Sequence, residues 1–135
     1  MEQSDKRLLH IACLLGFLAV GIGAFGAHGL KGIIANHDLP LERLDIFKTG
    51  VSYHFYHTFA LFIAVLNPYS SKKFKKIAAW FFIFGILFFS GSLYLLAVRE
   101  FSPIPVAILG PITPIGGLLF MAGWATMFLG VSKKN

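Results

Sequence analysis

The sequence predicts an all-α fold: a membrane-embedded four-helix bundle with a short interfacial amphipathic helix between helices 1 and 2 and a Pro-broken start to helix 4. Three observations carry this. Charged residues make up 13% of the 135-residue chain and hydrophobic residues 56%, whereas a soluble domain carries roughly 25% charged residues. Mean hydropathy is +0.73. Charge-free apolar stretches long enough for a ~30 Å hydrocarbon core recur at 8–27, 50–66, 77–98 and 111–131. The length fits one domain, 1–135.

The first stretch, 8–27, follows Lys6 and Arg7 and ends in small residues, as a signal peptide does. It exceeds the roughly 7–15 residues of an h-region, so it is expected to be retained as helix 1. Its single cysteine, Cys13, excludes an intramolecular disulfide and reads as a small buried hydrophobe. The link 28–49 is polar enough to leave the membrane. Within it Leu41, Leu44, Phe47 and Val51 recur at helical spacing while Asp38, Glu42 and Asp45 form another stripe, which predicts a helix lying on the membrane surface. The acidic stripe reads as a solvated face.

Helix 2, 50–66, begins polar and becomes wholly apolar. Helix 3, 77–98, is rich in Phe, and Trp80 is placed near its end as an interface anchor. The last uncharged stretch runs from Phe101 to Val131 with Pro103, Pro105, Pro111 and Pro114 in its first half. Proline suits a first helical turn and disrupts an interior. The regular helix is therefore expected to start near Pro111 or Pro114, with Thr113 as N-cap and 101–110 as a short helix or re-entrant piece.

The basic residues divide by side. Lys6, Arg7, Lys72, Lys73, Lys75, Lys76, Lys133 and Lys134 share one side; Lys31, Arg43, Lys48 and Arg99 share the other. Eight against four predicts both termini in the cytoplasm. The net charge of +6 thus belongs to membrane flanks, and nucleic acid is not an expected partner.

This topology gathers polar residues on the outer side: His28, Tyr53, His54, His57, Ser90, Ser92, Tyr94 and Thr113. Polar groups facing lipid are costly unless paired, so these residues should face one another or a cavity, with His57 at the centre. Three readings compete: a hydrogen-bond network fixing helix register, a pocket for a small lipophilic molecule such as a lipid or quinone, and a metal or haem site on two of the histidines. No metal-ligand spacing is present, so no metal or cofactor is expected. Glycines at 16, 21, 23, 26 and 29, and again at 110, 116, 117 and 123, make segments one and four the expected tight neighbours. Gly21, Gly23 and Gly26 copy a dinucleotide fingerprint, but inside an apolar span it lacks the required strand–turn–helix setting. No charge lies within a span, and no nucleophile–base pair or phosphate loop is present.

Four motifs in order, Gly23-Ala-Phe-Gly-Ala-His-Gly-Leu30, Phe47-Lys-Thr-Gly-Val-Ser-Tyr-His-Phe-Tyr-His57, Phe89-Ser-Gly-Ser-Leu-Tyr94 and Gly110-Pro-Ile-Thr-Pro-Ile-Gly-Gly-Leu-Leu-Phe-Met-Ala-Gly-Trp124, resemble the YgdD/YwdK-like family. These are small bacterial membrane proteins of unknown function, with relatives in animals. The resemblance implies a four-helix protein of the bacterial cytoplasmic membrane and supplies no activity. The expected role is non-enzymatic, in interaction or assembly, with the bilayer and either another membrane protein or a second copy as partners. The alternative is a binder or carrier of a lipophilic molecule at the outer cluster.

Overall fold

A computed structural model describes residues 2–132. Four helices account for nearly all of them: α1 (Gln3–Asn36), α2 (Glu42–Leu66), α3 (Lys72–Ala97) and α4 (Val106–Ser132). No strand occurs among the described residues. Three helices, α1, α3 and α4, are long and apolar enough to cross a membrane. The fourth, α2, has 25 residues but carries charge in its first two turns.

The chain runs up and down. One side holds the start of α1 and the turn between α2 and α3, where Glu2 bonds Lys72 and also reaches Lys76 at 3.6 Å. The other side holds the α1–α2 turn and the α3–α4 link. Packing follows chain order: α1 on α2, α2 on α3 and α3 on α4. Only 22% of the apolar windows of α1 and α4 is buried, against 39% for α3, which makes α1 and α4 peripheral. Their outward faces are apolar, with Leu14, Phe17, Leu118, Met121 and Phe128 exposed. Water would not tolerate so much contiguous apolar surface; acyl chains match it. The main core joins Ala12, Leu61, Ala79, Phe82 and Phe120, one or more from every helix.

Three expectations are corrected. No separate interfacial helix lies between helices 1 and 2. Residues 28–36 continue α1 through a π-helical turn, Gly26–Leu30, and residues from Glu42 onward are already α2. The reason is burial: Leu30, Ile34 and Phe47 pack with Ala97 of α3, and Leu44 and Val51 pack against them. The amphipathic stripe thus meets protein, and Leu41 alone of its members is left strongly exposed. Helix 4 does not start at Pro111 or Pro114. It starts at Val106, immediately after Pro105, whose carbonyl accepts from the Ile108 and Leu109 amides, and both later prolines lie inside it. Thr113 is therefore interior and caps nothing.

Finally, the two glycine-rich helices are not tight neighbours. The glycines of α4 serve α3. A Cβ on Gly116 would stand 2.3 Å from the backbone nitrogen of Phe89, and Gly123 accepts the ring of Phe82. Gly85 on α3 accepts Phe120 in return. The contact at Phe89 falls within a second π-helical turn, Ile86–Ser90.

Candidate functional site

His57 lies on the fifth turn of α2 and is buried. Its Nδ1 is 2.9 Å from the carbonyl of Tyr53, one turn earlier. A carbonyl only accepts, so Nδ1 carries the proton. Its Nε2 is 3.2 Å from the indole nitrogen of Trp124 on α4. Indole only donates, so Nε2 supplies its lone pair. The two partners together hold a neutral imidazole in one tautomer. Phe120 stacks on the ring with centroids 3.4 Å apart at 7°, and Tyr53 stacks at 5.8 Å. The lone pair that a metal would take is already engaged.

The other predicted site residues divide into separate pairs. His54, buried one turn before Thr58, meets the Tyr94 hydroxyl through Nδ1 at 3.0 Å, joining α2 to α3. Its Nε2 makes no hydrogen bond. Ser92 and Thr113 share a hydrogen bond of 2.7 Å between α3 and α4, while the Ser92 hydroxyl also reaches the Phe89 carbonyl. Ser90 is fully buried with its hydroxyl unpaired. Tyr53 contributes its backbone carbonyl and its ring, which also lies 4.7 Å from Phe89. His28 sits exposed in the first π-helical turn, apart from all of these. The eight residues thus form no single site. Two inter-helix links join members of the eight, His54 with Tyr94 and Ser92 with Thr113; His57 makes a third with Trp124 from outside the set, and neither Ser90 nor His28 is its partner.

Two features escaped the sequence reading. Trp124 is the true partner of His57. A signal existed, since an indole N–H deep inside an apolar helix needs an acceptor. The second is Arg43, one of the four basic residues on the outer side, which is 3% exposed. It donates to both oxygens of Glu100, at 2.8 and 2.5 Å, and to the Ala97 carbonyl at 3.3 Å. This bidentate clamp ties the start of α2 to the end of α3. The guanidinium holds the Glu100 carboxyl down to about 2. Spacing could not have shown it, because the partners are 57 residues apart.

Over the His57–Trp124 pair lies a lateral groove of about 370 Å³, bordered by Tyr53, Tyr56, Gly117 and Met121. Residues 22–117 match the model of a family described as "Protein of unknown function (DUF423)". The UPF0382 membrane protein YwdK of Bacillus subtilis is 39% identical over 95% of this chain and 98% of its own. A UPF0382 membrane protein of Haemophilus influenzae is 37% identical over 96% and 97% respectively. One of Schizosaccharomyces pombe is 36% identical over 89% and 97%. No solved structure matches.

Proposed function

From the premise that this chain belongs to the DUF423 family of membrane proteins, we propose that it is a non-enzymatic interaction or assembly protein of the bacterial cytoplasmic membrane, with four spans and both termini inside. One observation carries the non-enzymatic reading: most polar side chains inside the bundle are held in hydrogen bonds to another helix or to the backbone, with the Ser90 hydroxyl and His54 Nε2 left over. His57 has both nitrogens committed, and Ser92, Thr113, His54 and Tyr94 pair off between helices. What remains available is the apolar outward surface of α1 and α4. The topology rests on the eight-to-four asymmetry of basic residues. Alkaline phosphatase fused after Asn135 should be inactive; activity there would invert the orientation.

The groove over Trp124 favours a second reading, in which the chain holds a flat lipophilic molecule such as a quinone against Tyr53 and Tyr56. Purification in mild detergent, with mass spectrometry of proteins and small molecules, separates the two. A stoichiometric protein partner or second copy supports assembly. A stoichiometric lipophile released by Gly117→Trp supports binding.

A further inference from the structure

On the side that carries the start of the chain, α1 and α3 enter in parallel and leave a groove of about 340 Å³ between their first three turns. Its mouth is cationic, with Arg7 from α1 and Lys76 from α3, and Ser4 beside them. Its inner part is apolar, lined by Leu8, Ile11 and Trp80. The order is the same on both helices: Ile11 follows Arg7 by four residues and Trp80 follows Lys76 by four. Residues four apart are neighbours on one face, so each cation stands one turn above an apolar lining residue.

The surrounding charge has the same sign. Lys6, Lys72, Lys73 and Lys75 occupy these turns, against Glu2 and Asp5. Glu2 is engaged with Lys72 and Lys76, and Arg7 has no acidic partner among the described residues. A ligand for this groove needs an anion at the level of the mouth and an apolar tail below it. A guanidinium takes two phosphate oxygens at once, and basic pockets between membrane helices take anionic headgroups. A zwitterionic headgroup brings its own ammonium, which these cations repel.

We propose that this groove is a binding site for an anionic phospholipid, its phosphodiester between Arg7 and Lys76 and an acyl chain along Ile11 and Trp80. The test uses the full chain in mixed micelles of phosphatidylglycerol and phosphatidylcholine in equal amounts, stripped with mild detergent, with retained lipid counted by native mass spectrometry. Phosphatidylglycerol should be retained in preference. The Arg7→Gln/Lys76→Gln protein should lose retention about fivefold per cation removed, and Arg7→Lys/Lys76→Arg should keep it. Lys31→Gln/Lys48→Gln, on the opposite side, should leave it unchanged. Ile11→Trp fills the groove with every charge intact, and should release the lipid while the protein still elutes as one species. Equal retention of the two lipids, an equal loss in the Lys31/Lys48 variant, or full retention by Ile11→Trp would overturn the proposal.

Discussion

The α3–α4 interface and the α1–α2 interface are written with the same residue, glycine, and use it differently. On α4, Gly116 lets backbone meet backbone, and Gly85 and Gly123 exchange Phe120 and Phe82 across the same seam. On α1, Gly26 alone is pressed hard by another helix, against the Phe47 ring of α2, while Gly29 is pressed by Phe25 of its own helix. Gly16 has only the Thr58 methyl at 3.7 Å, and Gly21 has no neighbour within 4 Å. A small-residue pattern therefore marks helices able to approach closely; whether a given glycine is needed depends on what faces it.

The largest effect should come from the tight seam. Gly116→Ala places a methyl against the Phe89 backbone, which no rotamer change relieves. Destabilisation should reach the upper part of the roughly 1–3 kcal/mol seen for overpacking, read as a lower melting temperature in detergent. The same substitution at Gly21 should be neutral or stabilising by less than about 1 kcal/mol, because only the helix-propensity gain remains. A melting temperature lowered equally by both would erase the contrast between the interfaces.

Next is the α2–α3 clamp. Glu100→Ala leaves the buried Arg43 guanidinium without its carboxylate and should lower the melting temperature. Arg43→Met, which removes the charge that needs a partner, should cost less. The acid dependence has a definite sign. The Glu100 carboxyl is held at about 2, below its ordinary 4.5, so its contribution is complete above that ordinary value and is lost as pH falls from there through about 2. Melting followed over this range should show a decline that Glu100→Gln lacks.

The smallest effect concerns the link between α2 and α4. Trp124→Phe keeps the ring contacts and removes the donor to His57 Nε2. Membrane hydrogen bonds average about 0.6 kcal/mol, with a maximum near 1.7, so the melting temperature should fall only slightly. A much larger loss would show that the His57 tautomer organises more than one link.

Much of the fold was legible in the sequence. Charge-free stretches of spanning length located α1, α3 and α4, because lipid leaves the backbone few alternatives to helix. Polarity at Tyr53, His54 and His57 marked α2 as the helix whose side chains need partners, and burial of both histidines follows from that need. The divided cluster was less legible. His28 and His57 lie at comparable distances from apolar runs, yet one is exposed and the other stacked on Phe120. The difference is helix rotation, which hydropathy along the chain does not record.

The sequence by itself determined that this is a helical membrane protein of a recognisable family, since composition and span length depend on the solvent and not on which helix meets which. Tertiary structure alone decided the pairings: Trp124 with His57, Glu100 with Arg43, and the α4 glycines with α3. Each depends on the relative rotation and depth of two helices far apart in the chain. That geometry is set by the simultaneous packing of all four helices, so no local pattern of residues encodes it.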